Sequence, residues 1–147
     1  VARALPLDET LTVITHSPTI AVELASHPLV EVLLIGGRLF KHSMVAVGAS
    51  AVEAMAHIRA DVYFMGVTGV HPTAGLSTGD LEETYVKRAL AARAAEVVVL
   101  ASTEKLGAAS PYVIAGIDMA SSIVVDSEAP AALRRQLRAK GVDVVVA

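Results

Sequence analysis

Short apolar runs alternate with Ala-rich stretches along this chain, and the alternation predicts β-α-β units around a mostly parallel sheet. Runs of Val, Ile and Leu without polar interruption are typical of parallel strands buried on both faces. The predicted strands are residues 12–15, 30–35, 61–67, 96–101, 123–126 and 142–146, with a short one at 112–114 followed by one helical turn.

The predicted helices lie between these strands. Ser17-Pro18 opens the first one, with a hydroxyl for the cap and a proline in the first turn, and it runs to about Ser26. Asp80 caps another, which runs to about Ala95. Two more are predicted at 47–58 and 130–140. Between strand and helix, residues 68–79 are rich in Gly, Thr, Pro and Ser and are predicted to be a long loop.

Composition indicates one aliphatic domain. The chain has 147 residues, of which 54% are hydrophobic but only 3% aromatic, a size that suits one core. No apolar run is long enough for a membrane span, and no signal peptide is evident, so we expect a soluble cytoplasmic protein without membrane contact. The first residues, Val1 to Pro6, look like the end of an apolar helix, and we expect a fragment of a longer protein.

Charge and cysteine content exclude several classes of function. The net charge of -3 argues against a domain that binds nucleic acid by neutralising phosphates. The absence of cysteine excludes disulfides and zinc fingers. His16, His42 and His71 lack metal-ligand spacing, so we expect neither a metal nor a cofactor.

Polar clusters follow the predicted strands at the edge where parallel sheets bind ligands. They are 15–17, 36–38, 66–79 and 102–105. Each has an ordinary alternative. Gly36-Gly37 is also a common strand-ending turn, and Glu83 and Lys87 have the spacing of a surface ion pair. The position of Lys105 in a loop after a strand is equally ambiguous.

Tests for catalysis find no motif. The chain has no nucleophile elbow, no phosphate-binding P-loop, no dinucleotide fingerprint and no cysteine nucleophile. The segment after Val67 offers Thr68, Gly69 and His71 but no carboxylate before Asp80. The residues therefore favour a binding module over an enzyme.

The order of motifs resembles one family, the C-terminal sensor domains of DeoR-type bacterial repressors, over nearly the whole chain. The matching segments are T-V-I-T-H-S from Thr12, L-L-I-G-G from Leu33, V-G-A-S-A from Val47, R-A-D-V-Y-F-M-G-V-T-G-V from Arg59, G-L-S-T-G-D-L-E-E-T-Y-V-K-R-A from Gly75 and V-V-V-L-A-S-T-E-K-L-G from Val97.

The resemblance implies a fold and a function. The fold would be a three-layer α/β arrangement with a mostly parallel sheet and helices on both faces, similar to ribose-5-phosphate isomerase and related sugar-phosphate and CoA-transferase proteins. The function would be to bind a phosphorylated sugar or related metabolite and so control operator binding by a winged helix-turn-helix domain. Residues 1–147 would form one sensor domain without that DNA-binding domain and without the family's D-x-G-T-T phosphate loop. Dimers or tetramers are expected.

The sequence departs from the family pattern at two positions, with His16 in place of Asn and Ser102 in place of Asp. The isomerases' D-G-A-D-E signature would fall at residues 68–72, where no carboxylate is present. The resemblance thus agrees with a role in sugar-metabolism regulation and not in catalysis.

Carried over to this chain, the resemblance and the positions of the polar clusters give one set of expected ligand contacts. These contacts comprise backbone and side-chain donors, glycines that allow close approach, hydroxyls that line the pocket, a carboxylate for sugar hydroxyls and two cations. The residues are Thr15, His16, Ser17, Gly36, Gly37, Gly69, Ser77, Thr78, Glu83, Lys87 and Lys105.

Two other functions stay open at this point. The first is a sugar-phosphate isomerase-like enzyme on the same scaffold, in which His71, Glu82 or Glu83 would act as acid or base. The second is an oligomerisation module with a relic pocket, which would self-associate without being stabilised by any ligand.

Overall fold

The computed structural model describes all of residues 1–147. The chain divides into two compact units, Val1–His57 and Ile58–Ala147. The elements of the first unit are β1 (Leu11–Thr15), α1 (Pro18–Leu24), β2 (Val30–Leu34), β3 (Arg38–Phe40), β4 (Val45–Val47) and α2 (Ala49–Met55). Those of the second are β5 (Ala60–Gly66), β6 (Gly69–His71), β7 (Gly75–Thr78), α3 (Leu81–Ala91), β8 (Ala94–Ala101), β9 (Tyr112–Ala115), β10 (Ser122–Val125), α4 (Ala131–Arg138) and β11 (Asp143–Val146).

The first unit is built on a parallel β-α-β element. β1 and β2 pair in parallel along their whole length, and α1 connects them. β3 and β4 form an antiparallel hairpin in what the sequence presents as a polar stretch. A 3-10 turn at Ala2–Ala4 is held to α1 by an ion pair in which Arg3 Nε lies 2.9 Å from Glu23 Oε1.

The surroundings of β2 differ from those predicted. The sequence predicts a strand buried on both faces, but Leu33 and Leu34 expose 44% and 47% of their surface. A sheet of two strands has too little width to bury the side chains of both faces. The strand was therefore predicted correctly, and its complete burial was not.

α2 begins later than predicted. The sequence predicts a helix from Val47, but Val47 pairs with Arg38 in the hairpin, and the helix starts at Ala49. Gly48 stands between them with φ 98°, a conformation that glycine adopts without strain. Branched valines favour the strand over the helix, which explains the difference.

The second unit is built on a four-stranded parallel sheet in the order β11-β10-β8-β5, which confirms the α/β class. Side chains alternate between the two faces of this sheet. One face is buried against α3, α4 and the β6-β7-β9 sheet, and its core residues include Met65, Val97, Val99, Ala101, Ile123, Val125 and Val144.

The segment 68–79 is the main correction to the predicted fold. It is not a loop, because β6 and β7 form a hairpin there and β7 also pairs with β9. All four residues of β7 are buried. Gly75 has φ 82°, and a Cβ there would collide with the carbonyl oxygen of Ala115. The small residues thus allow close packing of strands, and composition alone does not separate this from a loop.

α3 begins as predicted and ends early. The Asp80 carboxylate accepts a hydrogen bond of 2.9 Å from Glu83 N, which confirms Asp80 as the N-cap. The helix ends at Ala91 because Ala94 already pairs with Ala60 in the parallel sheet. Alanine favours helices, but strand pairing prevails here. The other predicted elements outside 47–58 and 68–79 are confirmed to within two residues. No helix combines the length and the apolarity needed to cross a membrane.

Candidate functional site

The expected ligand contacts fall into both units of the chain. The end of β1 and the turn after β2 carry Thr15, His16, Ser17, Gly36 and Gly37 in the first unit. The second unit carries Gly69, Ser77, Thr78, Glu83, Lys87 and Lys105.

In the first unit these residues build the turn from β1 into α1. The buried Thr15 accepts a hydrogen bond at Oγ1 from Ser17 N, at 3.1 Å. Ser17 Oγ lies 2.8 Å from Thr19 Oγ1 and donates to the carbonyl oxygen of Met44 at 3.1 Å. The expected capping hydrogen bond of the Ser17 hydroxyl at the start of α1 is therefore absent, because this hydroxyl bonds to Met44, just before β4, instead. The carbonyl oxygen of His16 accepts from Ala46 N at 2.7 Å.

Gly37 is required by the packing of the first unit. A Cβ at this position would lie 2.8 Å from the carbonyl oxygen of Val47 and 3.1 Å from the side chain of Ala51. At Gly36 a Cβ would meet nothing within 4 Å. The packing therefore accounts for one of the two glycines and leaves Gly36 without a steric reason.

Gly69 and Ser77 form a close contact between β6 and β7. Ser77 Oγ donates to the carbonyl oxygen of Gly69 at 3.5 Å and accepts from Ser110 N at 2.9 Å. A Cβ on Gly69 would lie 2.5 Å from Ser77 Oγ and 2.6 Å from the carbonyl oxygen of Ala108. This contact joins the hairpin to the segment that leads into β9.

Three of the expected residues meet in one buried polar cluster, which consists of Thr78, Glu83 and Lys87. Thr78 lies at the end of β7, and the other two lie one turn apart on α3. Thr78 Oγ1 donates to Glu83 Oε2 at 3.1 Å, and Lys87 Nζ lies 3.8 Å from Glu83 Oε1. The cap formed by Asp80 fixes the start of the helix and with it the position of the carboxylate.

The cluster is desolvated. Thr78, Glu83 and Lys87 expose only 1%, 6% and 9% of their surface, so the interpretation of residues 83 and 87 as a surface ion pair is wrong. Burial lowers the pKa of Lys87, and the Glu83 carboxylate offsets part of that effect. An ammonium group has three donors, and the ion-pair partner of this one, Glu83 Oε1, lies at 3.8 Å, beyond the usual length of a hydrogen bond.

Tyr63 lies within reach of the charge of Glu83 and is missing from the expected set. It lies on β5, half-buried against the core, and burial raises the pKa of its phenol, which the charge of Glu83 raises further. Tyr63 is the only residue of β5 that combines an apolar ring with a polar tip. A tyrosine in a strand of otherwise mostly apolar residues is the sequence signal that could have identified Tyr63 as a candidate site residue.

Lys105 lies apart from this cluster, in the 3-10 turn Thr103–Lys105 after β8. The Asp126 carboxylate, at the end of β10, accepts from the amide N of Thr103 at 2.8 Å and also from the Thr103 hydroxyl. The hydroxyl bond and then the amide bond lower the pKa of Asp126. Asp126 was not predicted, and it fixes the turn that presents Lys105.

Comparison with known proteins finds a matching family of sensor domains. Residues 1–127 match the family model described as DeoR C terminal sensor domain. Over 145 residues the chain is 32% identical to the HTH-type transcriptional regulator GlpR of Haloferax volcanii, with 99% of the chain and 56% of that protein covered.

Two bacterial relatives are similar to the same extent. The HTH-type transcriptional repressor CsqR of Escherichia coli K12 is 29% identical over 99% of the chain and 56% of its own length. The HTH-type transcriptional repressor GlcR of Bacillus subtilis is 30% identical over 92% of the chain and 52% of its own length. The chain thus spans a little over half the length of these relatives.

Proposed function

This chain belongs to the DeoR C-terminal sensor domain family, and we propose that it is the effector-binding part of a transcriptional repressor of sugar metabolism. The effector is a phosphorylated sugar or a related anionic metabolite. Its binding changes the affinity for operator DNA of a separate helix-turn-helix segment. The relatives named as HTH-type regulators support this proposal, as does their length, nearly twice that of the matching region.

One observation carries the proposal, namely the buried cluster of Thr78, Glu83 and Lys87. A cation in a desolvated site gains more from an added anion than an exposed cation does, because little water competes with the ligand. Lys87 has unused donors for a phosphate or carboxylate, and the Glu83 carboxylate has remaining acceptor positions for hydroxyl groups. This pair of properties matches a polyhydroxylated anion.

The remaining expected contacts keep their proposed role in ligand binding, each within its own unit. In the second unit these are Gly69, Ser77 and Lys105, and in the first unit they are the donors and glycines at the end of β1 and after β2. We propose for the whole domain the three-layer fold with helices on both faces, a single domain over 1–147, and assembly into dimers or tetramers in the cytoplasm.

We infer that the site binds its ligand without transforming it. The enzymatic alternative needs an acid or base at His71, Glu82 or Glu83. His71 Nδ1 accepts hydrogen bonds from the amides of Thr73 and Ala74 at 3.2 and 3.1 Å in the hairpin turn. Glu83 has one oxygen on Thr78 and the other facing Lys87. Two of the three candidate groups are thus already engaged, which supports a binding role.

Isothermal titration of the full-length protein with a panel of sugar phosphates and free sugars tests the proposal, after a thermal-shift screen. A ligand at 100 times its Kd should stabilise the protein by about 2.7 kcal/mol. We expect one phosphosugar to bind, its affinity to fall at least tenfold in Lys87→Met, and Lys140→Met, which changes an exposed lysine of the same unit, to bind normally. Binding should also change operator affinity in a DNA titration.

Three results would count against this function. If no sugar phosphate binds the full-length protein, the relic-pocket module is the better interpretation. If a ligand binds equally to wild type and to Lys87→Met, the domain is a sensor whose site lies elsewhere. Turnover of a bound sugar phosphate that is lost in Glu83→Gln would establish the enzymatic alternative.

A further inference from the structure

A polar cavity of about 450 Å³ lies at the edge of the second unit where β5 and β8 begin. It is lined by the side chains of Arg59, Asp61 and Arg93 and otherwise only by alanines, all of them residues of the second unit. The loops that carry Lys105 and Asp126 follow the opposite ends of the parallel strands. None of the expected ligand contacts lines this cavity, so it is a separate feature of the molecule.

The two arginines of the cavity stand side by side at the starts of neighbouring parallel strands. Ala60 pairs with Ala94, and Ala60 N donates to the carbonyl oxygen of Arg93 at 3.0 Å. Continued by one residue, this register places Arg59 beside Arg93, on backbones that are about 4.8 Å apart. Both residues line the same cavity, so two positive charges share one small space.

Neither arginine has an acidic partner. Both are exposed, and neither takes part in an ion pair, not even with Asp61 in the same cavity. Like charges at neighbouring positions of two strands destabilise a sheet. The end of α3 at Ala91 accounts for Arg93, because the C-terminus of a helix favours a cation. It does not account for Arg59, which enters the cavity from the other strand.

The chemistry of the cavity fits a small ligand that carries a phosphate group. A guanidinium presents a planar fork of donors that binds phosphate oxygens in pairs, and two adjacent forks can bind one dianion. The alanines leave space for it, and the volume lies in the range of small-molecule sites, about 300–1,000 Å³. The carboxylate of Asp61 repels a bare anion but accepts a hydrogen bond from a hydroxyl group. The matching ligand therefore has both groups.

We propose that Arg59, Arg93 and Asp61 form a second binding site, which takes a small phosphomonoester with a hydroxyl group. The two arginines bind the phosphate, and Asp61 accepts from the hydroxyl and so selects against bare anions. This inference does not rest on the proposed function, because the site shares no residue with the buried cluster of Thr78 and its neighbours on α3.

Protection from an arginine reagent tests the proposal in the full-length protein. Phenylglyoxal modifies accessible guanidinium groups, and mass spectrometry of the digested protein gives a separate rate for each arginine. We expect saturating inorganic phosphate to slow the modification of Arg59 and Arg93 at least about fivefold relative to chloride at the same ionic strength. Arg135 is the control, because it is exposed and has arginine neighbours on α4 but is not part of the cavity. Its rate should not change.

Two variants test the geometry of the site. The protection of Arg93 should be lost in Arg59→Gln, because a single fork binds phosphate weakly. In wild type, 2-hydroxyethyl phosphate should protect at a concentration at least about threefold lower than ethyl phosphate, and Asp61→Ala should abolish this preference.

Several outcomes would overturn the proposal. Phosphate would then protect neither arginine, or Arg135 to the same extent, or Arg93 still in Arg59→Gln. If Arg59 and Arg93 are unreactive even without an added anion, a protein surface covers them, and they are not a small-molecule site. Equal protection of wild type by the two esters would remove Asp61 from the site and the hydroxyl from its ligand.

Discussion

Removal of one charge from the buried pair of Glu83 and Lys87 should destabilise the chain far more than removal of both. At a separation of 3.8 Å and an effective dielectric constant of about 20, two unit charges attract each other by about 4 kcal/mol. Lys87→Met removes this attraction and leaves a desolvated carboxylate, so we expect a loss of about 3–5 kcal/mol. The double variant Glu83→Gln/Lys87→Met removes the desolvation cost as well, and it should lie within about 1 kcal/mol of wild type or above it.

Urea unfolding at pH 7 of wild type, the two single variants and the double variant measures the coupling between these side chains. The pair of Arg3 and Glu23 is a useful control because it joins a guanidinium and a carboxylate at 2.9 Å with side chains that are 83% and 39% exposed. We expect Glu23→Gln to cost at most about 1 kcal/mol. A coupling energy below about 1 kcal/mol would refute the reasoning, because it would mean that water screens Glu83 and Lys87 as it screens a surface pair.

Three further predictions concern packing and protonation. Gly69→Ala should cost about 2–4 kcal/mol in urea unfolding because the added Cβ would lie 2.5 and 2.6 Å from two oxygens, whereas Gly79→Ala, with open space around it, should be tolerated. Arg88→Ala should cost about 1–3 kcal/mol and speed amide exchange in β9, since Arg88 donates to two carbonyl oxygens of that strand, and Arg93→Ala should do neither. Burial lowers the pKa of Lys87, so the unfolded state binds more protons below pH 10.5; wild-type stability should therefore rise relative to Lys87→Met as the pH approaches 10.5. Equal pH slopes would contradict this last prediction.

Local patterns were sufficient for most of the fold. Apolar runs identified the strands of both parallel sheets, and the carboxylate of Asp80 identified the start of α3. These signals are local because an uninterrupted apolar strand or a capping side chain acts within a few residues of its own position. The hairpin at 68–79 needed more, since its glycines serve contacts with β9, which follows more than thirty residues later.

The chemistry of the candidate site depended even more on tertiary structure. The spacing of Glu83 and Lys87 fits a surface pair as well as a buried one, and their burial is a property of the fold around them. Tyr63 and Asp126 were missed for the same reason. Tyr63 is influenced by Glu83 on α3, and Asp126 bonds to Thr103 after β8. The pairing of β8 with β10, which brings Asp126 to Thr103, is not visible in the sequence.

The alternation of side chains along β5 has a consequence for genetics. Tyr63 lies on the face of the sheet that packs against the core, while Val62 and Phe64 on either side of it lie on the opposite face. Adjacent codons thus specify the two opposite sides of a single sheet. In a saturation screen scored for the yield of folded protein, polar substitutions at residue 63 should be poorly tolerated. Those at residues 62 and 64 should be tolerated better, so that tolerance alternates residue by residue along one strand.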